Sequence, residues 1–318
     1  MHRYVSVCIP VYGAEKYIER CARSLFEQTL DSLEYIFVDD CSPDNSIAVM
    51  QKVLEEYPQR KDQVKVIRHE VNQGVGAARN HGVAACTGDY IIHCDPDDWV
   101  DLDIYETMYN KAIETNADIV CCPFIEEYSN RKKRIDIITA STVAEFAQKN
   151  MGGVLNSLSN KLCKKHLAKG EYICCPEHIC MGEDLLRTVQ MFGRCEKIAF
   201  CNDTYYHYWR DDTSASTRTL ERKYLNQLCE LVEIIENLSV NVFPGFIATL
   251  KSQVLFSALK TRNVSSKEFK GIYHAFGCIN VSKVKCFPAW KKILLLIALI
   301  SYPLAKFICN ILLKIKFK

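Results

Sequence analysis

The sequence is nearly without net charge. Its 40 lysines and arginines stand against 38 aspartates and glutamates, a formal +2 with histidine neutral. That balance excludes a general nucleic-acid binder and leaves any basic partner surface to be local. Internal repeats and low-complexity segments are also missing. At 318 residues, this leaves one large domain with appendages or two small ones. No leader-like stretch precedes the first strand-like run. Met1-His2-Arg3-Tyr4 leads directly into Val5-Ser6-Val7-Cys8-Ile9, so the expectation is a cytosolic start. The 17 cysteines lack the paired C-x2-C spacing of structural zinc sites. The candidate run from Cys174 through His178 to Cys180 fails on that spacing. In a reducing compartment such cysteines are mostly small buried hydrophobes.

What is present is a substantial apolar fraction, 48%, arranged in alternating patterns. Residues 5–11 read as a buried strand, 15–28 as a helix, 33–38 as a strand and 46–57 as a helix. Ser42 or Asp44 is placed to cap that second helix. Residues 64–68 are a third strand. A glycine-bearing turn at 72–76 leads to a small-residue helix over 77–85, and 90–94 are a fourth strand. This spacing predicts βαβ units and a mostly parallel sheet. A helix at 101–115 and a strand at 118–123 follow, with a solvated hairpin tip at Arg131-Lys132-Lys133-Arg134. Helices are expected at 141–151 and 183–192, and strands at 196–201 and 204–210. A long helical pattern over 219–259 breaks at Pro244-Gly245.

The tail is apolar and basic. Residues 293–300 and 308–315 are apolar runs, with Pro303 available to kink between them. On a helical wheel Lys292, Lys306, Asn310 and Lys314 share one side. That predicts a helix lying in a membrane interface, its lysines toward anionic headgroups; a kinked span and a buried core helix are the alternatives.

Three acidic clusters carry the chemistry. Asp39-Asp40 ends the second strand, Asp95-Pro96-Asp97-Asp98 ends the fourth, and Glu183-Asp184 opens a helix. Each alone reads as a turn or as first-turn acids favoured by the helix dipole. Two of them, however, end strands of one sheet, on the edge where open α/β sheets bind nucleotides. The first can bond a base or ribose, the second can hold a divalent ion on a diphosphate, and the third can take a proton from an attacking hydroxyl.

The order of motifs resembles the family 2 glycosyltransferases of GT-A fold. Phe37-Val38-Asp39-Asp40-Cys41-Ser42-Pro43-Asp44 is similar to that family's V-D-D-G-S-x-D, with Cys41 in place of Gly. Asn72-Gln73-Gly74 through Ala78-Arg79-Asn80 matches N-x-G-x-x-x-A-R-N; Asp95-Pro96-Asp97-Asp98 matches D-x-D-D; Gly182-Glu183-Asp184 matches G-E-D. The resemblance implies a Rossmann-like α/β domain over residues 1–216, with a mostly parallel central sheet and flanking helices. Within it, 1–100 form a nucleotide-sugar half and 101–216 an acceptor half. A helical extension over 217–286 and a basic amphipathic tail over 287–318 follow. The resemblance puts Pro10, Tyr12 and Glu15 at the nucleotide, and Asp40, with Asp39 beside it, at the base. Arg79 is put at the phosphates or in support of the Asp-rich loop, with a structural ion pair as its alternative. Asp97 is the expected ligand of Mg2+ or Mn2+ with Asp95 as its partner, Asp98 ties down the loop, and Asp184 is the general base with Glu183 as neighbour.

The activity so implied is an inverting, metal-dependent transfer of one sugar. The donor is a nucleoside-diphosphate sugar, UDP favoured, and the acceptor a saccharide or lipid-linked saccharide in cell-surface polysaccharide synthesis. The place is the cytosolic face of a membrane, with the protein peripheral to it. The Q-x-x-R-W motif of processive synthases is absent. The segment Tyr205-Tyr206-His207-Tyr208-Trp209-Arg210 is similar to a Y-x-Y-R element of surface-polysaccharide members. There His207 either reaches the diphosphate or metal, or packs in an aromatic strand. Asn160-Lys161-Leu162 resembles W-N-K-L with Ser159 at the Trp position, a position expected to face the acceptor. The rivals are a degenerate membrane-bound scaffold and a sugar nucleotidyltransferase. The latter opens on a G-x-G-T-R loop, which Pro10-Val11-Tyr12-Gly13 does not match.

Overall fold

A computed structural model of the chain describes residues 4–150, 156–169, 175–210, 221–238, 245–284 and 287–316, with side chains to 312. Two compact units result, Met1–Asp212 and Thr213–Lys318.

The first unit is built on a seven-stranded sheet. β1 (Val5–Val11) lies at its middle, flanked by β2 (Leu33–Asp39) and β4 (Tyr90–His93), with β3 (Val64–Arg68) outside β2. These four strands are parallel. Every residue of β1 is buried, which is why its sequence is a continuous apolar run and not an alternating one. On the other side β9 (Lys161–Lys164) enters antiparallel between β4 and β6 (Ile119–Cys121), and β10 (Ile198–Phe200) closes the edge parallel to β6. The helices α1 (Ile18–Phe26), α2 (Ser46–Glu55), α3 (Val75–Ala85) and α4 (Ile104–Thr115) connect the strands.

The packing of α3 on the sheet depends on Gly82. A Cβ there would stand 2.2 Å from the Cys8 sulfur and 3.2 Å from Val38, so the helix lies on β1 and β2 closer than any side chain allows. The described cysteines are mostly buried and none is in a disulfide, as small hydrophobes in a reduced chain would be. Cys174 of the candidate zinc run lies outside the described residues, and Cys175 is buried while Cys180 is exposed.

A second, four-stranded sheet joins β5 (Trp99–Val100), β11 (Tyr206–Trp209), β7 (Phe124–Glu127) and β8 (Lys132–Ile135) in that order. This corrects the expected hairpin tip. Lys132, Lys133 and Arg134 sit in β8, paired against Glu127, Glu126 and Ile125. Lys132 reaches Glu127 at 3.0 Å, so the basic run is a charged edge strand matched to acids across the ladder. The helices α5 (Val143–Lys149), α6 (Lys165–Ala168) and α7 (Glu183–Phe192) complete the unit.

The second unit is helical. α8 (Arg222–Asn237) and α9 (Phe246–Lys260) occupy the long helical pattern, α9 starting from Gly245 at the expected break, and α10 (Ser266–Ala275) begins with a capping box between Ser265 and Glu268. The tail forms two helices, α11 (Ala289–Ile300) and α12 (Tyr302–Lys316), separated at Ser301. Pro303 therefore opens α12 and does not kink a longer helix, since a first-turn N–H has no partner to lose. Lys306 also departs from expectation. Its ammonium turns inward onto the carbonyls of Thr261 (3.0 Å) and Val264 (3.4 Å), just past the C-terminus of α9, where free carbonyls and the helix dipole attract a cation.

Candidate active site

The loop after β1 and the loop after β2 are laced together. Ser42 and Ser46 accept the backbone N–H groups of Gly13 and Ala14, both at 2.9 Å, and Asp44 accepts that of Glu15 at 3.0 Å. Asp44 also accepts the Ser46 N–H at the start of α2, and these bonds outweigh burial to bring its pKa down to about 2. Glu15 answers by accepting from Asn45 through its backbone (3.1 Å) and side-chain amide (3.2 Å). Pro10 is buried at the end of β1, whereas Tyr12 is 54% exposed on the loop beyond it.

The acids Asp39 and Asp40 part company. Asp40 is 2% exposed, and its carboxylate accepts from the N–H groups of Gln73 and Gly74 (both 2.8 Å) and meets His69 Nδ1 at 2.7 Å. It holds the glycine turn at the head of α3, so the structure gives it an internal task where the sequence placed a base contact. Asp39 keeps partial exposure, with one oxygen on the Ser42 N–H. Between the two loops Cys41 adopts φ 57°, the left-handed conformation that a glycine accommodates freely.

Arg79, on α3, joins two of the acidic motifs. Its guanidinium meets Asp95 at 2.9 Å and also bonds Glu183, and it is almost wholly buried. Burial opposes its charge, but Asp95, Glu183 and Asp184 together keep it firmly protonated. The loop after β4 and the N-terminus of α7 are thus drawn to one cation. Gly182 takes φ 87° to let α7 start there.

That pairing separates the two acids of α7. Glu183 is occupied by Arg79. Among the described residues the Asp184 carboxylate accepts a hydrogen bond only from the neighbouring Leu185 N–H, at 2.7 Å. Desolvation by the surrounding protein and the Glu183 charge push it up to about 7, against the pull of Arg79. A carboxylate poised there can accept a proton near neutral pH.

The Asp-rich loop is anchored from below. Tyr206 of β11 accepts the Asp95 N–H at 3.0 Å and donates to Asp98, which also accepts the Trp209 N–H at 2.7 Å. Asp98 is fully buried and ties down the loop, as its position suggested. Arg20 lies 3.5 Å over the Trp99 ring and donates to the Asp97 carbonyl at 3.0 Å. Arg20 escaped the sequence reading because it carries no local signal; Tyr206 lies in the strand and segment singled out there, but its task as anchor of this loop was not read. His207 takes the packed alternative. Its two ring nitrogens face Glu127 (2.8 Å) and Asp101 (2.9 Å), and the ring stacks on Trp99. Ser159, expected to face an acceptor, is buried, and Lys161 beside it is pushed by burial down to about 8.

Asp97 differs from its neighbours. No side chain among the described residues pairs with it, and burial together with Asp95 pushes it up to about 6. Two crowded carboxylates with one uncompensated charge suit a hard divalent cation. No group of three or more metal-ligating side chains forms a closed cage among the described residues. An ion such as Mg2+ takes its remaining ligands from water and substrate phosphate.

Comparison with known proteins bears on the family and the fold. The profile described as Glycosyl transferase family 2 matches residues 6–186. EpsH of Bacillus subtilis (strain 168) is 31% identical over 215 residues, covering 64% of this chain and 60% of EpsH. The poly(ribitol-phosphate) beta-glucosyltransferase of Bacillus spizizenii is 29% identical over 216 residues, 64% of this chain and 32% of that protein. The chain thus spans less than two thirds of these relatives' lengths. Among solved structures, S. aureus TarS 1-349 in complex with UDP-GlcNAc aligns with a TM-score of 0.68 at 19% identity, over 93% of this chain and 87% of that one. The likeness is one of fold, a GT-A-type α/β domain followed by extra helices. With the family profile running from β1 to the first turn of α7, more than half of its length, the chain belongs to glycosyl transferase family 2.

Proposed function

We propose that the chain transfers one sugar from a nucleoside-diphosphate sugar, UDP favoured, to a hydroxyl of a saccharide or lipid-linked saccharide at the cytosolic face of a membrane. The observation that carries the reading is Arg79. It gathers Asp95 and Glu183 on one guanidinium and leaves Asp184 unpaired, with a pKa near 7, beside them. The complex of S. aureus TarS with UDP-GlcNAc supports the choice of donor, and the Bacillus spizizenii enzyme supports a surface-polymer setting.

In this reading Tyr12 and Asp39 meet the base and ribose, since Asp40 is internal. Pro10 and Glu15 shape the loop that presents them. The acceptor hydroxyl approaches the anomeric carbon from the face opposite the diphosphate. Asp184 takes its proton as the new carbon–oxygen bond forms. The bond to the diphosphate breaks, its electron pair leaves with the nucleotide, and the anomeric centre is inverted. Mg2+ or Mn2+ held by Asp97, with Asp95 beside it, supplies Lewis-acid neutralisation of the departing charge when bound. A mannosyltransferase of similar fold, TM-score 0.58, was solved with GDP-Man and Mn2+, which supports that assignment.

The test is a melting screen of UDP-, GDP- and dTDP-sugars with Mn2+, followed by release of nucleoside diphosphate from the best binder. A donor that binds only the folded chain raises its melting temperature by mass action. The expected result is turnover that EDTA and Asp97→Ala abolish. A donor that binds without turnover in any metal would favour the scaffold reading instead.

A further inference from the structure

Helices α11 and α12 bury one face and leave another bare. Leu294, Leu295, Ala298, Tyr302, Ala305 and Cys309 turn inward. Tyr302 packs against the Phe269 ring of α10 at 5.1 Å, tilted by 38°, and donates its hydroxyl to the Ala258 carbonyl of α9 at 3.3 Å, which fixes the rotation of α12. Facing out are Ile293, Leu296 and Ile300 on α11 and Leu304, Phe307 and Ile311 on α12. The spacing is the same in both helices, i, i+3, i+7, so each presents one apolar stripe. Ile300 is 88% exposed and Phe307 63%. Soluble surfaces rarely leave six large apolar side chains in water on two neighbouring helices.

Charge says what covers them. The sequence has no aspartate or glutamate after Glu268, while six lysines fall within residues 287–318. Lys291 and Lys292 stand at the start of α11, and Lys314, Lys316 and Lys318 at the end of the sequence. Among the described side chains Lys306 is withdrawn onto its two carbonyls, and Lys291 lies 4.8 Å over the Phe256 ring. A second copy of the chain would set lysines against lysines across such a face. An anionic surface with an apolar interior matches both properties.

Neither helix crosses a bilayer. α11 has 12 residues and α12 has 15, and among the described residues no helix is long and apolar enough to span. We infer that α11 and α12 lie flat on an anionic lipid bilayer. The six outward side chains sink to the acyl boundary, and a segment with no aspartate or glutamate after Glu268 suits anionic headgroups. The inference deepens the proposed membrane-face function and rests on it for its purpose, not for its geometry. It also revises the wheel-based reading: the apolar stripes, not a lysine row through Lys306, form the contact.

Flotation of the full chain with phosphatidylcholine vesicles, with and without equimolar phosphatidylglycerol, tests it. Wild type is expected to float with the anionic vesicles and to lose binding as salt rises. The double substitution Ile300→Glu and Phe307→Glu is expected to lower that binding at least roughly tenfold. Both side chains are exposed, so melting temperature and donor hydrolysis without vesicles should not change. Binding that survives the double substitution overturns the inference. So does a wild type that stays off anionic vesicles; sedimentation as a dimer that the substitutions dissolve would then identify a second copy as the occupant. Loss of donor hydrolysis in wild type would sink the proposed enzyme while leaving vesicle binding to stand or fall separately.

Discussion

In the proposed reading a single proton on Asp184 ties stability to activity. In an unfolded chain an aspartate titrates near ~3.9. In the fold desolvation and Glu183 raise Asp184 to about 7, so the native state holds the proton more tightly. Its contribution to stability is therefore complete below about pH 4 and is lost as pH rises through about 7. Asp184→Asn should melt at the wild-type temperature at pH 4 and above it at pH 8. Turnover of wild type should climb as pH rises toward 7 and then level. The Asn variant should lose about 10²- to 10⁴-fold in kcat while still binding donor, as loss of a general base does. Cys41 makes an opposite case, a residue at odds with its backbone. At φ 57° the side chain is strained. Cys41→Gly should stabilise the chain by about 1 kcal/mol, seen as a melting rise of a few degrees. At this scale the sequence was legible where acids end strands or open a helix, as at Asp95, Asp97 and Asp184. It was not legible where adjacent like residues divide their tasks. Asp39 and Asp40 differ by which face of the chain they leave, and only the glycine turn folded over Asp40 decides which one is buried.

Helix α3 shows how an element is placed by an absence. With the Cys8 sulfur 2.2 Å from where a Cβ at Gly82 would be, and Cys8 itself buried, nothing flexible can yield. Gly82→Ala should destabilise by about 1–3 kcal/mol in a denaturant titration, despite the better helix propensity of alanine. The same variant shifts Arg79 and should weaken donor binding along with stability. The parallel strands and their helices could be read from apolar runs and breakers because burial on both faces leaves a plain signature. β5, β8 and β9 could not. They are two to four residues long, and β8 is charged throughout its first three positions. Their pairing is decided by partners distant in sequence, such as Glu126 and Glu127 for Lys133 and Lys132. In α12 the pattern was visible, but the wheel could not foretell that Lys306 would find carbonyls at the end of α9.

Every residue of the candidate site falls in the first of the two units. Donor binding should therefore raise amide-exchange protection within residues 1–212, most strongly at the loops after β1, β2 and β4, and leave α8 to α12 as they were. Protection that spreads through the helical unit would contradict that division. Within the first unit Arg79 lends one guanidinium to acids 88 residues apart in sequence, Asp95 and Glu183. A change of charge at Asp95 alters the hold on Glu183, and Glu183 is the charge that acts most on Asp184. Occupancy of the donor half and the proton affinity of the base are thus linked, and the linkage runs both ways. In the proposed reading the proton affinity of Asp184 therefore differs between the free and the donor-bound chain. The apparent pKa in kcat should then differ from that in kcat/KM, which reports the free enzyme. Arg79→Lys, which keeps the charge but loses the fork, should bring the two together.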